Sequence, residues 1–240
     1  MERLSTGIRS LDELIDGGIP LGSSVLIAGG PGTGKSILAM QIVYNRLKAG
    51  DNVVYLSLDS SPNKLIHQTD SFGWKFDEFL KDSSLALLSP RVDRINLMDT
   101  LDDIKKSVSE KQRKVVVVDS ITKMMDIGYF PIEEKDSEVK VRERNITRQD
   151  MSRFIISLEK IFKGLDVTLF FVGESDMNGV NITKDGIAEF ECDGVIRLNL
   201  INLGEEERTL QITKMRATKI DTSACDFQFT PNGIEISPDR

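Results

Sequence analysis

Ser24-Val25-Leu26-Ile27-Ala28-Gly29-Gly30-Pro31-Gly32-Thr33-Gly34-Lys35-Ser36-Ile37-Leu38-Ala39-Met40 is the stretch from which the rest of this 240-residue chain can be read. Residues Gly29 to Ser36 satisfy the full G-x-x-x-x-G-K-[ST] pattern of a phosphate-binding loop. The apolar run before them reads as a buried strand, and Ile37 to Tyr44 reads as a mostly buried helix. The loop therefore sits in the strand-loop-helix setting that the pattern requires. Its glycines let successive backbone N–H groups turn inward around a phosphate, and the helix N-terminus adds partial positive charge. Lys35 is placed to reach the outer phosphates of a nucleotide, and Ser36 to put its hydroxyl on Mg²⁺. The binding candidates are Gly30, Pro31, Gly32, Thr33, Gly34, Lys35, Ser36 and Ile37.

Composition bounds what such a chain can be. With 40% hydrophobic and 29% charged residues it can bury a sizeable core, and one domain spanning 1–240 is the expectation. The longest apolar runs, Val115 to Val118 and Leu169 to Val172, are far too short to cross a bilayer, and Met1 to Ser5 lacks the apolar core of a signal peptide. A cytoplasmic protein with no membrane partner is expected. Cys192 and Cys225 are too few for a disulfide framework or a metal cluster and suit small buried packing. A formal net charge of −7 argues against broad, salt-driven attraction to nucleic acid or anionic membrane.

Strand and helix signals alternate along the chain. Thr6 to Asp16 reads as a short amphipathic helix ended by Gly17-Gly18, Asn52 to Leu58 as a strand, and Pro62 to about Ser71 as a helix capped by Ser60 or Ser61. Leu85 to Leu88 is a short strand, and Leu97, Leu101, Ile104 and Val108 share one face of a helix. The four β-branched residues Val115 to Val118 suggest a strand covered on both faces, with Asp119 at its carboxyl end. Ligands of open α/β sheets lie beyond such strand ends, so Asp119 is the candidate to help Ser36 hold Mg²⁺. Asp126 to Asp150 reads as a polar surface loop, Met151 to Phe162 as a core-facing helix, and Asp166 to Val172 as a strand. After a second polar loop, Glu174 to Glu191, come the strands Asp193 to Leu200, Arg208 to Lys214 and Cys225 to Thr230, then a turn into Ile234 to Ile236. The class is α/β: a mostly parallel sheet with helices on both faces and an antiparallel C-terminal edge. His67 and Trp74 read as a surface residue and a packing anchor.

Five blocks together resemble the KaiC-type branch of the RecA superfamily. They are Ser5-Thr6-Gly7-Ile8 through Gly17-Gly18-Ile19-Pro20, the phosphate loop, Tyr55 to Pro62, Ser71-Phe72-Gly73-Trp74, and Arg208-Thr209-Leu210 through Lys214-Met215-Arg216. The resemblance covers nearly the whole chain and is to one KaiC domain standing alone. It implies an ATP-binding subunit of a ring, usually a hexamer, with nucleotide held between neighbours. It also implies that Lys214 and Arg216 approach the γ-phosphate bound by the next subunit and stabilise charge developing there. Residues two apart in a strand project to one side, which lets both cations face one target.

The resemblance breaks at the catalytic carboxylate. Similar proteins carry two adjacent glutamates where this chain has Asp59 and Ser60. Asp59 keeps a carboxylate one methylene shorter, and an attacking water must be held within about 3 Å of its base. Slow hydrolysis at best is the expectation. Glu189 and Phe190 stand where the clock protein phosphorylates itself, so autokinase activity is not expected. The loops that line the channel in RecA-type recombinases carry Lys135, Lys140, Arg142, Arg144 and Arg148 in the first and Lys184 in the second. Acids outnumber them in both, which disfavours DNA. A recombinase-like DNA-binding ATPase and a non-hydrolysing, ATP-sensing scaffold stand as alternatives to a ring-forming ATPase.

Overall fold

The computed structural model describes residues 2–90, 95–132, 142–176, 181–202 and 206–237. The chain opens with a short antiparallel ribbon, β1 (Arg3–Leu4) against β2 (Ile19–Pro20), bracketing α1 (Arg9–Leu14). β3 (Ser24–Gly29) runs through the glycine loop into α2 (Lys35–Lys48), followed by β4 (Val53–Ser57), α3 (Pro62–Asp70), α4 (Phe76–Lys81) and β5 (Leu85–Leu88). Next come β6 (Ile95–Asn96), α5 (Leu97–Lys111), β7 (Val115–Asp119), α6 (Ile121–Ile127), β8 (Gly128–Ile132), β9 (Arg142–Asn145), α7 (Arg148–Phe162) and β10 (Thr168–Glu174). The last described elements are α8 (Ala188–Glu191), β11 (Gly194–Asn202), β12 (Glu206–Met215), β13 (Cys225–Thr230) and β14 (Gly233–Ile236).

The main sheet has the order β14-β13-β12-β11-β3-β10-β7-β4-β5. Strands β11, β3, β10, β7, β4 and β5 are mutually parallel, and β12, β13 and β14 extend the sheet antiparallel. Alternation along the parallel strands divides the core in two. Val25, Ile27, Val53, Tyr55, Val115 and Val117 pack on one face with α2, whereas Leu26, Ala28, Val54, Leu56, Val116 and Val118 pack on the other with α5 and α7. Asp119 continues the first series, so the strand period delivers its carboxylate to the side of the sheet that α2 covers.

Several sequence expectations are corrected. The segment Asp126 to Asp150 is not one loop: it holds the end of α6, strands β8 and β9, and the first turn of α7. Helix α7 starts at Arg148 because Thr147 and Asp150 form a capping box. Glu133, Glu134, Lys135, Asp136, Glu138 and Lys140 lie outside the described residues. The second polar loop ends in the short helix α8. The first helix is confined to Arg9–Leu14, where Asp12 turns back to accept from the Thr6 amide at 2.8 Å. Ser61 is the N-cap residue of α3, yet no side-chain bond caps that helix. Trp74 is buried, stacks on Phe72 and Tyr44, and donates from Nε1 to the Asn232 carbonyl, as suits a packing anchor.

Candidate functional site

The site is built where β3, β4 and β7 end beside the start of α2. Gly34 turns the loop into the helix at φ +98°, a left-handed conformation that favours glycine. No side chain caps α2, so its first amides are free to serve as anion donors. A Cβ at Gly34 would lie 2.7 Å from Cζ of Phe229 in β13, and one at Gly29 would lie 2.6 Å from the Leu198 carbonyl oxygen. Both backing strands thus press on the loop at positions where only glycine fits. Within the loop, Thr33 Oγ1 and Lys35 Nζ both donate to the Gly30 carbonyl, at 2.8 and 2.9 Å. Burial lowers the Lys35 pKa, and Glu174, Asp119 and Asp59 oppose that shift, in that order.

Asp119 is buried, and burial raises its carboxyl pKa above the usual range. Hydrogen bonds from Tyr55 and Ser36 work the other way, the Tyr55 hydroxyl donating to Oδ2 at 2.6 Å. The register pairs Tyr55 with Val117 and Ser57 with Asp119, so Tyr55 reaches one pleat forward to the carboxylate. Full burial next to Asp119 pushes the Tyr55 phenol well above its ordinary pKa and keeps it a donor. Ser36, Tyr55, Ser57, Asp59, Ser60 and Asp119 border a cleft of about 440 Å³. Asp59 is exposed at its edge. The turn after it is pinned by Ser57 and Ser89, whose hydroxyls donate to the Ser60 carbonyl at 2.9 and 3.3 Å.

The oxygens of Ser36 and Asp119 are hard donors that suit Mg²⁺, an ion that takes one or two protein ligands and completes its shell with phosphate and water. Among the described residues no group of three or more His, Cys, Asp or Glu is placed to hold a metal by itself. The pair therefore fits an ion that arrives with a nucleotide.

Sequence reading overlooked two contributors. Tyr55 is legible in retrospect as the one aromatic in a buried strand with a hydroxyl that needs a partner. Glu174, at the end of β10, is ion-paired to Lys184, and its backbone amide donates to Thr122 Oγ1 at 2.9 Å. Nothing in its local sequence marked it.

Lys214 and Arg216 are not part of this cluster. Lys214 lies in β12 and Arg216 one residue beyond it, and both donate to the Phe190 carbonyl at the end of α8. Arg216 also bonds Asp193 Oδ1 at 3.0 Å. The register Gly194↔Val25 and Leu198↔Gly29 puts their end of the sheet at the start of β3, and the phosphate loop follows the other end. Four strand residues, about 13 Å, separate the two levels.

The family model described as "ATPase: KaiC" matches residues 4–240. A UPF0273 protein of Thermotoga maritima is 33% identical, the match covering 99% of this chain and 97% of that one. The circadian clock oscillator protein KaiC 1 of Synechocystis is 27% identical over 99% of this chain, which spans 44% of that longer protein. Among solved structures, a KaiC-like protein from Pyrococcus horikoshii superposes with a TM-score of 0.81 at 29% identity, covering 99% of each chain.

Proposed function

This chain belongs to the KaiC ATPase family, and from that premise we propose that it is a slow Mg²⁺-dependent ATPase, a single cytoplasmic domain that assembles into a hexameric ring with ATP between neighbours. In this reading the loop from Gly30 to Ile37, through every backbone N–H except at Pro31, which has none, holds the phosphates with the Lys35 side chain, and Ser36 and Asp119 hold the metal. The ion, when bound, neutralises charge on the β- and γ-oxygens. Tyr55 orients the Asp119 carboxylate, and exposed Asp59 directs water toward the γ-phosphate from a position that a longer glutamate would serve better.

One observation supports the shared site above all. Lys214 and Arg216 stand at the far end of the sheet from their own loop, anchored to α8 and Asp193. Their useful target is then the nucleotide of an adjacent protomer. Nucleic acid is the weaker partner, since Lys184 and Arg144, described cations of the two polar loops, are already engaged by Glu174 and Asp150. Among the described residues no helix is long and apolar enough to cross a membrane.

Native mass spectrometry and phosphate release, each with and without Mg²⁺-ATP, test the proposal. The expected result is ATP-promoted assembly with low turnover. Rapid turnover by a monomer would overturn the ring, and assembly with no phosphate release would favour the scaffold.

A further inference from the structure

Helix α7 is more than a core helix. Ser152 and Glu159, seven residues apart and so on one face, both engage the end of the molecule that carries Lys214 and Arg216. Ser152 Oγ donates to Glu191 Oε1 at 2.6 Å and ties down α8, whose terminal carbonyls hold Lys214. Glu159 Oε1 accepts from the hydroxyl of Ser24, the first residue of β3. Ser24 is 1% exposed: its amide donates to Asp193 Oδ2 at 3.2 Å, its Oγ accepts from the Asp193 amide at 3.0 Å, and its hydroxyl also meets the Cys192 thiol. Asp193 then turns its other oxygen, Oδ1, to Arg216 at 3.0 Å and accepts the Arg216 amide on its carbonyl at 2.9 Å.

We propose that Glu159, Ser24 and Asp193 form a hydrogen-bonded chain that positions Arg216 for its work on the neighbouring protomer's nucleotide. The proposal rests on the shared-site reading given above. An exposed arginine-carboxylate pair alone contributes little and holds a long side chain loosely. Here the acceptor is fixed from behind by a buried serine, and the serine by a half-buried glutamate. The aim of Arg216 is thereby set by β3, the same strand that carries the phosphate loop at its other end. The three positioning residues gather at the amino end of β3, at the opposite end of that strand from the glycine loop.

The test compares full-length Glu159→Ala, Glu159→Gln, Asp193→Asn and Arg216→Ala, alone and with Glu159→Ala joined to Arg216→Ala. Three quantities are read: affinity for a fluorescent ATP analogue, assembly with a non-hydrolysable ATP analogue by native mass spectrometry, and turnover. Glu159→Ala and Asp193→Asn are expected to leave analogue affinity within about twofold while lowering turnover roughly tenfold or more, the scale of a misplaced catalytic group. Both should also shift assembly to higher analogue concentration, as is expected of Arg216→Ala. Glu159→Gln keeps the acceptor for Ser24 and should behave as the wild type. Glu159→Ala joined to Arg216→Ala should be no worse than Arg216→Ala alone, because residues acting through one another do not add. Additive losses, or normal assembly and turnover in Glu159→Ala and Asp193→Asn while Arg216→Ala is impaired, would overturn the positioning chain and leave the shared site standing. If Arg216→Ala itself changes neither quantity, the shared site fails and the positioning chain fails with it.

Discussion

At the scale of single residues, the informative pair is Tyr55 and Asp119. Burial works against the charged carboxylate, and the hydroxyl at 2.6 Å is among the bonds that offset it. Tyr55→Phe removes that donor without changing shape and leaves Asp119 less well oriented. Groups that orient a metal ligand are typically worth about ten- to a hundredfold in metal affinity. Turnover titrated against Mg²⁺ should therefore show Tyr55→Phe needing at least about tenfold more ion, with metal-free nucleotide affinity unchanged. An unaltered Mg²⁺ requirement would assign Tyr55 to packing alone. Ser36 and Asp119, which a dense motif and a β-branched run ending in Asp mark in the sequence, stand in the structure at one cleft. Tyr55 was hidden, since its role depends on a strand register that pairs Ser57 with Asp119. Register belongs to the folded sheet and leaves no local sequence mark.

At the scale of elements, helices and strands with strong periodicity were readable: β3, α2, α5, β7 and α7 stand where their patterns put them. The misses are β8, an apolar strand that carries Pro131, and elements that are short or charged. Strand β9, Arg142–Asn145, has no apolar alternation to announce it, and α8 is a four-residue turn of helix. The first turn of α7 is apolar-poor, and its start is marked by a capping box, Thr147 with Asp150 where Glu is usual. That cap makes a pH prediction. Arg144, hydrogen-bonded at 2.8 Å to Oδ1, and the Thr147 amide and hydroxyl hold the Asp150 carboxyl far below the usual carboxylate range. A carboxyl with a folded pKa below its unfolded one stabilises fully above the unfolded pKa, and that contribution is lost as pH falls through the folded value. In urea unfolding, Asp150→Asn should be less stable than the wild type at neutral pH, by about 1 kcal/mol or more on the scale of a lost helix cap. The gap should close as pH drops below about 4, where the unfolded carboxyl begins to bind protons. A gap of constant size across that range would contradict the account of this cap.

At the scale of the whole molecule, the sheet separates the glycine loop from Lys214 and Arg216, and a ring of the proposed kind would bring the two groups together. The phosphate loop follows β3 at one end, and Lys214 and Arg216 leave β12 at the other, with the strands of the core holding them apart. Sequence patterning alone could place each group on an element, but the parallel pairing of β11 with β3 decides that they face opposite ends. The most direct measurement mixes two variants expected to have lost turnover, Lys35→Ala, with a disabled loop, and Arg216→Ala, with a disabled cation. In a random one-to-one assembly roughly a quarter of the head-to-tail interfaces join an intact loop to an intact Arg216. The account predicts that phosphate release by the mixture rises toward that fraction of the wild-type rate, well above either variant alone. A mixture no more active than the mean of its two components would contradict it.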